Sequence, residues 1–287
     1  MTSVLLALLA AIGYGVSDFV GGVASRRVAA LRIVIVSYPL SVLLMVAIAP
    51  LVDARLDVPA LAWGAGAGVA SGLAVWWFYA ALASGPMAVV SPLTAVLVAG
   101  VPVVIGLLSG ERANPAAYVG IGLAVVAVAL VSKESPDDVT EEITGGRELR
   151  FDRRVALLTV GSGIAFGFAF VFLHEAAGPA GLWPLVTSRI AATFVVWTAA
   201  VATGHFHAPT GKPLRLAAYV SVLDVIANVA MLYAFHGSLL SLVSVIGSLY
   251  PAATVLLAMM LLGERVGPLQ QIGMAMALGS VALIATA

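Results

Sequence analysis

The chain has no cysteine in its 287 residues. Disulfides, thiolate-held zinc, iron–sulfur clusters and thiol nucleophiles are therefore excluded. Charge is scarce: Asp, Glu, Lys and Arg make up 10% of the chain, against about 25% in a soluble domain. The formal net charge is zero, so nothing favours nucleic acid as a partner. No Lys or Arg precedes Arg26, so the first apolar run lacks the basic flank of a cleaved signal peptide and reads as a retained helix. Gly-x-Ser-x-Gly, His-Glu-x-x-His and paired catalytic carboxylates on one helix are missing too, which argues against an enzyme.

What is present is apolar. Hydrophobic residues make up 62% of the chain and the mean hydropathy is +1.10. The apolar runs are about 20 residues long, enough to cross a bilayer as helices. The spacing of Gly, Pro and charge predicts spans at Ser3–Ser25, Leu31–Leu51, Ala60–Ser84, Met87–Ser109, Pro115–Ser132, Val155–Ala176, Leu182–Thr203, Leu214–Phe235, Leu239–Leu262 and Pro268–Thr286. Alternating polar and apolar strands are absent, so a β-barrel is not expected. The expected fold is an all-α, multi-pass integral membrane protein with ten transmembrane helices, located in the cell membrane.

The stretch 133–154 differs. It carries 12 of the 28 charged residues and reads as a solvated, mobile linker. It separates residues 1–132 from residues 155–287, with five expected helices in each. Five is odd, so equivalent helices would cross in opposite directions, as in the inverted repeats of carriers. A repeat is visible. Aligned at an offset of 153, Ala81–Arg112 faces Ala234–Arg265 with 8 of 32 positions identical, including Gly110-Glu111-Arg112 against Gly263-Glu264-Arg265.

Several residues carry the expected chemistry. Asp224 lies near the middle of the eighth span, where a carboxyl costs roughly 2.5–3.5 kcal/mol to insert. A cavity, a partner or a proton must offset that cost. Asn228 at i+4 and Ser221 at i−3 share its helix face. Asp224 is thus a candidate for binding a substrate amine and for proton coupling, or else a polar contact that locks helices. Asp18, one turn after Tyr14, is a second proton or cation site, or pairs with Arg26 or Arg27. Arg189 is the one strong cation inside an apolar run. It would clamp a substrate carboxylate, pair with Asp18, Glu175 or Asp224, or snorkel to the interface. Glu175, beside His174, is a third proton-coupling candidate or a solvated interfacial pair. Tyr14, Trp76, Tyr79 and Tyr233 are candidate cavity walls that could stack a substrate, or packing residues. Pro92, Pro102 and Pro251 fall inside the fourth and ninth spans and are candidate kinks or gates. Glu111 and Glu264 each adjoin an Arg at a span end and read as structural acids. His205 and His207 alone make a poor metal site, and no metal is expected.

Both repeats carry a further pattern. The third span holds Trp76-Trp77-Phe78-Tyr79-Ala80-Ala81-Leu82, then Ser84-Gly85-Pro86, and the fourth ends in Gly110-Glu111-Arg112. The second half answers with Leu232-Tyr233-Ala234-Phe235, Gly237-Ser238, Tyr250-Pro251 and Gly263-Glu264-Arg265. Ile12-Gly13-Tyr14-Gly15 and Ile164-Ala165-Phe166-Gly167 match in the two first spans. The whole chain except the linker resembles the EamA type of the drug/metabolite transporter superfamily. The resemblance implies ten helices, with helices one to four and six to nine around a central cavity and helices five and ten beside it. It implies transport of a small metabolite or drug without a cofactor, often as export, and both termini in the cytoplasm. The charge bias points the other way. Eleven of the 14 Lys and Arg residues fall in loops on the linker's side, which places the linker in the cytoplasm and both termini outside.

The sequence thus favours a secondary transporter of an amino acid-like or cationic small molecule, working in the lipid bilayer by alternating access as its two halves rock about a midplane cavity. Protons are the candidate coupling ion, and the chain acts as a monomer or homodimer. A membrane scaffold or an intramembrane enzyme is the alternative.

Overall fold

The structure is a computed structural model and describes residues 2–25, 28–84, 87–112, 115–131, 153–257, 260–261 and 268–286. The described chain forms α1 (Thr2–Ser25), α2 (Ala30–Ile48), a 3-10 turn at Ala49–Leu51, α3 (Val58–Ser84), α4 (Met87–Leu108), α5 (Pro115–Val131), α6 (Arg153–Glu175), α7 (Trp183–Ala202), α8 (Lys212–Phe235), α9 (Leu240–Gly247), α10 (Tyr250–Leu257) and α11 (Pro268–Thr286). Among the described residues, Thr2–Gly21, Leu31–Leu51, Val58–Phe78, Arg153–Glu175, Trp183–Ala202 and Lys212–Phe235 are long and apolar enough to cross a membrane. Leu5, Leu43, Leu157, Phe194, Val201 and Tyr219 stand exposed on their outer faces. So much exposed apolar surface is expected against lipid and not against water. The chain is an all-α, multi-pass integral membrane protein.

One expected span is divided. Within the expected span Leu239–Leu262, the described residues form α9 (Leu240–Gly247) and α10 (Tyr250–Leu257), separated at Ser248-Leu249. Pro251 has no N–H to give to the Gly247 carbonyl, so the ladder cannot pass through. Leu249 instead donates to Ile246, a tighter bond at 3.1 Å. In α2 the proline is tolerated by a different device. Pro39 leaves the Ile35 carbonyl without its helical donor. The indole N–H of Trp197, on α7, donates to it at 3.0 Å.

Lipid offers no hydrophobic gain for joining helices, so close contact depends on small residues. Gly64, Gly68 and Gly72 repeat every fourth position along α3 and lie against α7 at Pro184, Ser188 and Ala192–Val195 in turn. A Cβ added at Gly68 would stand 2.0 Å from the Ser188 carbonyl oxygen. These two helices therefore run parallel with their backbones nearly touching. The α1–α8 contact runs antiparallel, with Gly13 against Ala227 and Gly21 near Val220. So does α3–α6, where Gly66 meets Phe172 and Ser162 donates to the Ala74 carbonyl at 3.0 Å. The main packing partners are α3 with α6 and α7, α1 with α8, α5 with α11, α4 with α6 and α9, and α2 with α7 and α8. Among the described residues, contacts within either side of the stretch 133–154 are sparser than contacts across it.

Candidate functional site

The polar residues of α2, α7 and α8 converge inside this bundle. Asp224 projects from the middle of α8 toward α7. Its Oδ1 lies 3.3 Å from the Arg189 guanidinium, with the two side chains 16% and 5% exposed. Asn228, one turn on, donates through Nδ2 to Asp224 Oδ1 at 3.0 Å and to the Asp224 carbonyl at 2.7 Å. Ser41 of α2 reaches Asp224 Oδ2 at 3.4 Å. The carboxylate is therefore held by a cation, an amide and a hydroxyl from three helices, which compensates a charge taken out of water.

Arg189 is buried rather than snorkelled, and Tyr38 lies under it with its ring centroid 5.2 Å from Cζ. A cation over an aromatic face gains attraction without a counter-charge. Nε of Arg189 is nonetheless buried without a hydrogen-bond partner, and so is the Ser37 hydroxyl. An orphaned guanidinium N–H beside an unpartnered hydroxyl is a donor available to a ligand.

Asp18 differs from Asp224. It is exposed, yet it lies deep among protein atoms and within the electrostatic reach of Asp224, Tyr14 and Tyr250. Nine residues at about 100° each put it roughly opposite Leu9, which is exposed on the outer face of α1. Asp18 therefore faces an interior recess and not lipid. It forms no hydrogen bond or ion pair with a described residue. Tyr14, one turn earlier, stacks on Phe170 with centroids 6.5 Å apart.

The structure thus brings together Tyr14, Asp18, Arg189, Asp224 and Asn228 from the sequence candidates. The Ser221 side chain is fully buried and its hydroxyl bonds back to the Ala218 carbonyl at 2.7 Å, while its own carbonyl faces Ser41. Trp76 packs against the α2–α7 cluster that holds Tyr38 together with Val34, Ile35 and Val196, and so borders this site. Other candidates stand apart. Tyr233 stacks on His236 at 5.7 Å, about 13 Å along α8 from Asp224. Glu175 is exposed at the end of α6, beside His174, whose ring meets Phe235 edge-on at 5.3 Å. Pro102 is buried in α4, which continues through it to Leu108. The side chains of Tyr79, Pro92 and Pro251, and the residues Arg26, Arg27 and Glu264, lie outside the described residues. Among the described residues no group of three His, Asp or Glu could hold a metal.

Sequence reasoning missed the α2 contribution. Ser37, Tyr38 and Ser41 form its polar face, and the signal was the polar interruption Ser37-Tyr38-Pro39-Leu40-Ser41 in an apolar run.

Comparison with known proteins agrees with this architecture. A crystal structure of another protein superposes with a TM-score of 0.75 at 15% identity, covering 98% of this chain and 95% of the other, which shows a shared fold. No curated protein matches in sequence. The model of the EamA-like transporter family matches residues 1–133 and 153–286 and leaves out the charged linker. The chain belongs to the EamA-like transporter family.

Proposed function

We propose that the chain is a secondary transporter that moves a small polar or amphipathic metabolite across the membrane by alternating access. One observation carries this reading beyond family membership: an ion pair with an orphaned donor, and a second acid with no partner among the described residues, face the interior of an apolar membrane bundle. Charged groups at such depth mark substrate and ion pathways. Asp18 is the acid that meets a substrate amine. Arg189 is the group that meets a carboxylate. Asp224 neutralises Arg189 in the empty site. A proton on Asp224 releases the guanidinium for a substrate carboxylate, which couples the two movements. An amino acid-like zwitterion satisfies both ends, and the expected direction is export.

The bundle is built as ten helices in two inverted sets of five, with α9 and α10 counted as one broken helix. Supporting this, Ile35 lies by Trp197 while Tyr38 lies by Arg189, so the equivalent helices α2 and α7 run antiparallel. The pairing α1 with α8 is mirrored by α3 with α6, as a twofold relation requires. The backbones of α3 and α7 touch through three glycines. The halves on either side of the linker therefore do not rock as separate bodies. Each moving unit mixes helices from both.

Ligand-induced stabilisation tests the site directly. Zwitterionic amino acids at millimolar concentration raise the melting temperature of the detergent-solubilised protein, by mass action. The shift is lost in Asp18→Asn and in Arg189→Lys. Equal shifts in all three proteins would remove both residues from the site.

A further inference from the structure

The triplet Gly110-Glu111-Arg112 ends α4 and does more than end it. Gly110 has φ 87°, and two backbone bonds close the helix: Glu111 N–H to the Gly106 carbonyl at 2.9 Å and Gly110 N–H to the Leu107 carbonyl at 3.1 Å. This left-handed stop turns Glu111 back across its own helix. The carboxylate then lies over Gly106, where an added Cβ would stand 2.2 Å from Oε2. From there it reaches α9. Oε1 accepts the Leu240 N–H, and Oε2 accepts the Ser241 N–H at 3.1 Å and the Ser241 hydroxyl at 2.6 Å.

The first N–H groups of a helix have no partner within it. The residue before α9, Leu239, offers no side-chain cap. Leu240 and Ser241 are 3% and 2% exposed, so water does not serve them either. Glu111 meets the need from 129 residues away in the chain. The helix it holds is only eight residues long. Gly237, at φ 67°, precedes it, and the Ser248-Leu249 break follows it. A short buried helix with a turn at each end, packed against α4 and α1 and hydrogen-bonded through Glu111 to the end of α4, has the construction of a gate.

We propose that Glu111 is a positioning residue that latches α9 against α4 and closes one face of the transport path, so that this face opens when the carboxylate leaves the Leu240 and Ser241 N–H groups. Opening then requires water to reach those N–H groups in place of Glu111, because bare donors are costly in a membrane interior. The proposal rests on the transport reading for its meaning. Its test does not involve transport.

The absence of native cysteine gives a clean readout. Ser244 sits one turn into α9, fully buried, with its hydroxyl unpartnered, so Ser244→Cys removes no hydrogen bond. Ser162→Cys, buried at the α3–α6 contact, is the control. Labelling of each by a membrane-impermeant maleimide is followed in sealed vesicles, with and without Glu111→Gln. Gln keeps the shape but cannot accept at both oxygens. Loss of a charged hydrogen bond raises Ser244→Cys labelling at least about tenfold, from one side only, while Ser162→Cys stays slow. Ser241→Ala, which removes one of the three bonds, gives a smaller rise in the same direction. Unchanged Ser244→Cys labelling overturns the proposal. So does a rise at both positions, since Glu111 would then hold the fold and not a gate.

Discussion

Arg189 of α7 and Asp224 of α8 meet at 3.3 Å inside the bundle, with little of either side chain exposed. Removing one partner leaves the other charged and buried. Arg189→Ala is therefore expected to destabilise the protein by about 3–5 kcal/mol. Replacing both, as Arg189→Met with Asp224→Leu, recovers most of that loss. Thermal unfolding in detergent measures both. A double variant no more stable than Arg189→Ala would show that the pair contributes more than mutual neutralisation.

Asp18 makes the opposite prediction. It has no hydrogen bond or ion pair with a described residue. Asp18→Asn should change stability by no more than about 0.5 kcal/mol while abolishing accumulation of substrate. Flux in vesicles and melting temperature, measured on the same preparation, separate the two effects. A large loss of stability would mark Asp18 as a structural residue.

The glycine contact between α3 and α7 sets a steric test. Gly68→Ala places a methyl 2.0 Å from the Ser188 carbonyl oxygen, whereas Gly100→Ala in α4 meets nothing within 4 Å. The first is expected to cost about 1–3 kcal/mol. The second stabilises by about 0.5–1 kcal/mol, through the better helix propensity of alanine. Melting temperatures moving in opposite directions would bear this out, and equal shifts would contradict it.

Trp197 and Pro39 form a coupled pair through the Ile35 carbonyl. Trp197→Phe leaves that carbonyl buried and unpaired, at a cost of about 1–3 kcal/mol. In a Pro39→Ala background the helix supplies its own donor, and the same change costs less. A double-mutant cycle reads the difference. Additive effects would mean that the indole bond does not compensate for the proline.

Much of this was legible in the sequence, for identifiable reasons. Helix ends follow from Gly, Pro and charge, so α8 ends at Phe235 where expected. The stripe Ser221, Asp224, Asn228 followed from helical spacing, since i−3 and i+4 share a face whatever surrounds it. The partners of that stripe did not follow. Periodicity tells which residues of one helix are neighbours, not which helix they meet, so Tyr38 and Ser41 stayed hidden in α2. Arg189 had three acids open to it, and only the fold selects Asp224. Glu111 shows the limit most clearly. Next to Arg112 it reads as a span-end acid, while its bonds lie on Leu240 and Ser241. The division of the ninth span at Ser248-Leu249 was foreshadowed by Pro251, but a kink and a break look alike in sequence.

The central claim is coupled movement of a small substrate through this site. Purified protein in liposomes, offered a mixed pool of amino acids, polyamines and cationic dyes with and without a pH gradient, tests it most directly. The account predicts gradient-driven accumulation of the amino acids, abolished in Asp224→Asn, which cannot exchange a proton. Accumulation that survives in Asp224→Asn, or that ignores the gradient, would contradict it.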